Sequence, residues 1–304
     1  MRLAGGMFEE GRRVGVAAAV AAVGLGICYL AAAGAPARMI GLNLAALLVG
    51  LAAFATVNGP SWRLDPAGRL MLPALGAVLL ATALFGTPVD GASRWATFGP
   101  LNLQVSLIVL PAMLVAFARA PGSSGAAGLS LAALALALQP DRAMAGVLVA
   151  SLMVLALRCR DRAVWITLAA ALAGFAATLL RPDTLPAVPF VDRIFFTSFD
   201  VHPLAGAAVV GGAILMLLPA LTGWRGGEAL RSPALVFGAA WGAIILAAAL
   251  GNYPTPLVGY GGSAIVGYLL SVALLPAQTA ASRSGQAAAG TGKEAGDKPL
   301  LRAA

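Results

Sequence analysis

Charge is scarce in this sequence. Only 11% of its 304 residues are Asp, Glu, Lys or Arg, 60% are hydrophobic, and the mean hydropathy is +0.89. A soluble globule has far more surface than so few charges can cover, so that class is excluded. Cysteine is nearly absent as well: Cys28 lies in the first apolar run and Cys159 between Arg158 and Arg160. Two such thiols make no disulfide framework, and neither has metal-ligand neighbours. The single histidine, His202, stands beside Pro203 with no second ligand, so it reads as a helix-end residue and no metal is expected. Lys and Arg number 20 against 12 Asp and Glu, yet they stand singly at the ends of apolar runs and form no basic face, which excludes nucleic-acid binding. No internal repeat is evident, which counts against transporter folds built on inverted halves. No cofactor is expected.

What is present is a series of apolar stretches with breaks of polar residues between them. In hydrocarbon every backbone N–H and C=O must be satisfied within the protein, so these stretches are read as helices. The expected fold is all-α, a polytopic transmembrane bundle of about ten spans at 14–34, 39–58, 70–87, 103–118, 122–139, 143–157, 164–180, 204–221, 234–250 and 263–277. The fifth and sixth meet at Gln139-Pro140-Asp141, so they are either two spans or one broken hairpin. The first run continues to about Gly34 and reads as a retained span, not a cleavable signal. Frequent Gly, Ala and Pro suit membrane helices packed closely through small residues.

Orientation follows from Lys and Arg. With the N-terminus inside, the inner segments carry fifteen of them and the outer ones five: Arg38, Arg94, Arg142, Arg181 and Arg193. Both ends are therefore expected in the cytoplasm. Residues 1–278 form the membrane domain, and the Ala-, Gly- and Lys-rich 279–304 is expected to be a disordered cytoplasmic tail.

Three outer segments hold most of the polar character. The first runs from Asp90 through Gly91-Ala92-Ser93-Arg94-Trp95 and Gly99-Pro100 to Gln104 and Ser106. An Arg beside a Trp suits an anionic headgroup at the interface, or a plain interfacial anchor. The second is Gln139-Pro140-Asp141-Arg142, a local turn in which Asp141 needs a partner, most simply Arg142 or Arg94. The third runs from Asn252-Tyr253-Pro254 to Gly259-Tyr260-Gly261-Gly262-Ser263 and is expected to be a re-entrant or unwound entry to the last span. It lacks the strand and Lys of a phosphate-binding P-loop. Asn43, Thr56 and Ser151 are read as helix-packing hydrogen bonders. A longer outer loop, 181–203, contains three Pro before Phe190, then Asp192, Arg193, Asp200 and His202.

Taken together, these segments resemble the SEDS family (shape, elongation, division and sporulation; the RodA and FtsW group). Gly91-Ala92-Ser93-Arg94-Trp95, Gly99-Pro100 and Gln104-Val105-Ser106 are similar to its Gly-Ala-x-Arg-Trp…Gly-Pro…Gln-Pro-Ser-Glu run. Gln139-Pro140-Asp141 is similar to its Gln-Pro-Asp turn, and Pro256-Leu257-Val258-Gly259-Tyr260-Gly261-Gly262-Ser263 to its Pro-Phe-Ile-Ser-Tyr-Gly-Gly-Ser segment. Val191-Asp192-Arg193-Ile194-Phe195 matches the family's Thr-Asp-Phe-Ile-Phe, with Asp200 on the first of its paired Glu and Gly206 on a later Gly. The resemblance implies a peptidoglycan glycosyltransferase of the bacterial inner membrane that polymerises lipid II at the outer face with a class B penicillin-binding protein. On that match Asp192 is the catalytic general base, and Arg94 or Arg193 offsets pyrophosphate charge. Trp95, Gln104, Ser106, Gln139, Asp141, Tyr260, Gly261, Gly262 and Ser263 complete the implied substrate site.

The sequence departs from the family pattern at Leu107, where the carboxylate is lost, and in Ile108-Val109-Leu110, where a Lys is missing. Arg142-Ala143-Met144 replaces Leu-Gly-Thr, and only Arg181–Val191 stands where a long Gly-rich segment precedes the Asp. Three readings stay open: an active enzyme, a non-catalytic scaffold of a penicillin-binding protein, and a lipid or small-molecule transporter. For Asp192, a surface ion pair with Arg193 is the alternative to catalysis.

Overall fold

The computed structural model describes residues 10–57, 66–89, 92–99, 101–181, 186–224 and 228–276. Asp90, Gly91, Pro100 and the tail 279–304 lie outside these residues. So do Arg2, Arg63, Arg225, Arg283, Lys293, Lys298 and Arg302 of the orientation count. Each of the ten expected spans is a helix or a helix pair. They are α1 (Glu10–Ala32), α2 (Ala37–Val57), α3 (Pro66–Phe85), α4 (Val105–Arg119), α5 (Ser123–Leu138), α6 (Arg142–Arg158), α7 (Arg162–Leu179), the broken pair α9 (Pro203–Leu215) and α10 (Leu218–Trp224), α11 (Glu228–Leu250) and α12 (Gly262–Ala273). Five of these are long and apolar enough to cross a bilayer alone, and others, such as Val105–Arg119 and Gly262–Ala273, are shorter apolar helices within the bundle. Gln139-Pro140-Asp141 separates two spans, α5 and α6, and does not break a single one.

Large apolar side chains point outward around the bundle. Leu48, Leu70, Leu157 and Leu250 are each more than two-thirds exposed, an arrangement water penalises and lipid tails do not. Inside, Ala-rich faces of α4, α5 and α6 meet buried Phe117, Phe237, Trp241 and Tyr268. The chain is a multi-pass membrane protein.

The all-α expectation omits a three-stranded antiparallel sheet between α3 and α4: β1 (Thr87–Val89), β2 (Ala92–Phe98) and β3 (Leu101–Gln104). Pro88, Gly91, Gly99 and Pro100 block a helix here, and Thr, Val, Trp and Phe favour extended backbone. Phe98 pairs with Leu101 across a two-residue turn, and Gly99 takes φ +57, which a side chain would resist. The first residues of the expected fourth span therefore belong to β3.

Two further differences have local causes. The 181–203 loop contains a short helix, α8 (Ile194–Val201). The eighth span breaks between α9 and α10 because Pro219 has no N–H to return to Leu215. Ala220 N–H bonds Leu217 O (3.1 Å), one residue short of helical register. That leaves Met216 O free to accept from Tyr268 Oη at 3.0 Å.

The ends of the described chain meet. Arg12, early in α1, donates through Nε to Leu275 O (2.7 Å), and Arg119, at the end of α4, donates to Leu274 O (3.1 Å). Both neutralise open carbonyls at the C-terminus of α12. The three polar turns lie at the other end of α4, α6 and α12.

Candidate functional site

The three turns do fold against one another. Strand β2 directs Arg94 inward, where its guanidinium is buried and Nη2 donates to the carbonyl of Pro140. Trp95 takes the opposite, half-buried face and pairs in register with Gln104. The Gln104 backbone N–H donates to Ser263 Oγ (3.0 Å), joining the first motif to the third. Its side-chain Nε2 reaches Asp141 Oδ2 (3.2 Å), and Ser106 Oγ reaches the same oxygen (3.1 Å), joining the first to the second. Asp141 Oδ1 accepts from Met144 N–H (3.2 Å) and so caps α6.

The partners expected for Asp141 were arginines. Among the described residues its donors are instead two neutral side chains and one backbone amide. Arg94 contacts the neighbouring Pro140 carbonyl, and Arg142 turns away to Arg181 O (2.9 Å). A fully buried carboxylate is tolerated where several donors converge on it. Gln139 also faces elsewhere, donating to Leu79 O (3.2 Å) on α3. A small cavity of about 10 Å³, room for about one water, lies beside Gln104, Met144 and Tyr253.

The third turn does re-enter the bundle. Residues 255–259 are buried, and Val258 sits against α1 so tightly that a Cβ on Gly26 would lie 2.7 Å from its Cα. Leu257, fully buried, holds φ +60, a conformation that only the surrounding packing maintains. Asn43, read from the sequence as a packing residue, serves this turn: Nδ2 donates to Gly259 O (2.8 Å) and Oδ1 accepts from Gly261 N–H (3.2 Å). Gly262 then opens α12.

The far side of the same turn holds Asp192. Thr255 N–H donates to Val191 O (2.9 Å), Tyr260 N–H to Phe190 O (2.7 Å), and Asp192 pairs with Pro254 in a single antiparallel bridge. Asp192 Oδ2 accepts from Val188 N–H (2.8 Å), while Oδ1 is buried without a hydrogen-bond partner. Burial pushes this carboxyl above the usual aspartate range, and the Val188 N–H pulls partly against it. The surface ion pair with Arg193 is not formed: Arg193 is exposed, in left-handed backbone (φ 60) at the start of α8. Both residues line an open groove of about 420 Å³ with Tyr29, Phe190, Thr197 and Val201.

The twelve implied site residues thus divide. Asp192 and Arg193 face the groove. Tyr260 holds its wall from behind through its N–H on Phe190 O, while Gly261, bonded to Asn43, and Gly262, at the start of α12, lie in the turn and do not line it. Arg94, Gln104, Ser106, Asp141 and Ser263 form a separate buried cluster, and neither they nor Trp95 and Gln139 line the groove.

The overall fold is that of a polytopic helical membrane protein, here with a broken eighth span, a small sheet between α3 and α4 and a re-entrant turn before the last helix. It is shared by a SEDS protein of known structure, the rod shape determining protein RodA of Thermus thermophilus, at a TM-score of 0.60 and 23% identity over 86% of this chain and 94% of that one. The crystal structure of an aspartate-to-alanine variant of the same RodA matches with the same values. No family model and no curated protein sequence matches the chain.

Proposed function

We propose that this protein is a divergent SEDS-type protein of the bacterial inner membrane. It would act on a lipid-linked peptidoglycan precursor at the periplasmic face, with both termini in the cytoplasm. The observation that carries the reading is Asp192. It is a buried carboxylate with a raised pKa, one oxygen without a partner, and a groove in front of it large enough for part of a sugar. Such a group serves as a general base, taking the proton from an acceptor hydroxyl as that oxygen attacks the donor sugar and pyrophosphate departs. Arg193, exposed beside the groove, is better placed than buried Arg94 to offset the pyrophosphate charge.

The fold shared with RodA and the three ordered motifs support this reading, as does the fifteen-to-five distribution of basic residues. Cell shape or division is the process implied, with a class B penicillin-binding protein as partner. The test is polymerisation of lipid II by purified, reconstituted protein. Glycan strands from the native protein and their loss in Asp192→Ala are expected; a well-folded native protein that makes no polymer overturns the enzyme.

A second reading has its own observation. Only 181–191 precedes Asp192 where the family has a long Gly-rich segment, which suits a non-catalytic scaffold for the penicillin-binding protein. That version predicts co-purification with such a partner and a phenotype indifferent to Asp192→Ala. Transport is disfavoured because ionisable groups are nearly absent from the helix interiors.

A further inference from the structure

We infer that Asn43 is a positioning residue for Asp192, acting through the re-entrant turn. The inference rests on the catalytic reading of Asp192 given above. It concerns a residue on α2 that belongs to none of the three motifs.

An amide buried among apolar side chains is costly unless its polar atoms are used. Asn43 is fully buried, and both ends of its amide are committed to one backbone stretch: the donor to Gly259 O and the acceptor to Gly261 N–H. This imitates the paired bonds of a neighbouring strand. It grips the turn on the side away from Asp192. The residue between the two glycines, Tyr260, uses its N–H on Phe190 O, and Thr255 uses its N–H on Val191 O. Asn43 therefore holds one edge of a two-residue-wide ribbon whose other edge is the segment leading into Asp192.

That segment needs holding. Phe190 at φ +63 and Arg193 at φ +60 flank Asp192, and Leu257 at φ +60 lies in the turn itself; all three are non-glycine residues in left-handed backbone, which persists only where the surroundings impose it. The carboxylate's own anchor is local, a turn from Val188 N–H to Oδ2. If the ribbon loosens, these positions relax and the unpartnered Oδ1 no longer faces the groove in one orientation.

The experiment uses the full-length protein in nanodiscs, read by hydrogen exchange and by lipid II polymerisation. Asn43→Leu keeps the side chain's size and removes both bonds; Asn43→Asp keeps the acceptor for Gly261 and loses the donor. Exchange at the amides of Val188, Asp192, Thr255 and Tyr260 is expected to quicken about tenfold or more in Asn43→Leu, with α5–α7 unchanged. The turnover number should fall about tenfold or more with KM little altered, because geometry and not binding is lost. Asp should lie between Asn and Leu; a space-filling role would instead leave Leu at least as good as Asp. Should Asn43→Leu fail to fold, Asn43→Asp is read by the same criteria.

Unchanged exchange at 188–192 in a folded variant overturns the inference. So does quickened exchange with native turnover while Asp192→Ala is inactive. If the native protein makes no polymer, the glycosyltransferase reading falls, and the exchange measurements still decide whether Asn43 orders the Asp192 segment.

Discussion

Asp192 differs from every other described acid in combining burial, one satisfied oxygen and an open groove. Replacing it by Asn preserves shape and removes the base proposed above, and activity should drop by about 10²–10⁴-fold, the usual worth of general-base catalysis. Because burial raises its pKa, the working carboxylate form is lost at a higher pH than for an ordinary aspartate. The acid limb of the rate profile should therefore lie above the usual aspartate range and vanish into the residual rate of Asp192→Asn. Stability runs the other way. A raised carboxyl binds its proton more tightly in the folded chain, so stability falls as pH rises from the unfolded value through the folded one. Thermal melts in detergent should show Asp192→Asn flattening that fall.

Asp141 makes the contrast at the same scale. It is more deeply buried and fully used, by Gln104, Ser106 and the Met144 amide. Asp141→Ala would leave two buried side chains and a helix N-terminus without their acceptor, at about 1–3 kcal/mol for each such group. The expected result is a clear loss of thermal stability in that variant and a milder one in Asp141→Asn. An unchanged melting temperature would show that the cluster is not what ties α4, α6 and α12 together.

Among the elements, the re-entrant turn is decisive, and what admits it is the bare surface of α1. Gly26→Val would press a side chain into the Val258 backbone and drive the turn out of its seat. That variant should lose polymerisation while its helix content, by circular dichroism, stays near native; normal activity would mean that the turn's depth is irrelevant. The sheet at 87–104 and the turn are legible in the sequence to different degrees. Two prolines followed by Gly-Tyr-Gly-Gly marked unwound backbone plainly. At 101–105, Leu101, Leu103 and Val105 alternate with Asn102 and Gln104 in a strand period, but the stretch is only five residues long and runs straight into the apolar α4, so it merges with the helix. The eighth span looked continuous for a similar reason: Pro219 near its end sat within an unbroken apolar run.

For the whole molecule, an even number of spans brings Arg12 and the end of α12 together, and sends all three motifs to the opposite end. Single cysteines at Trp95 and Tyr260, in a background without Cys28 and Cys159, should react with an impermeant maleimide from the same side of the membrane. A cysteine in place of Arg158 should react only from the other. Labelling of Trp95→Cys and Tyr260→Cys from opposite sides would dismantle the arrangement.

The one-dimensional pattern sufficed for the class of protein, the number of spans and the three polar turns. Those rest on hydropathy, charge placement and helix-breaking residues, which are local and survive without knowledge of neighbours. The pairings were decided by the tertiary structure alone. Whether Asp141 meets arginine or glutamine, whether Arg94 faces a ligand or Pro140, and that Asn43 reaches a turn more than two hundred residues away are matters of which side chains the packed helices bring within hydrogen-bonding reach. Nothing in residue spacing encodes that distance, because it is set by how ten spans and one inserted turn share a single interior.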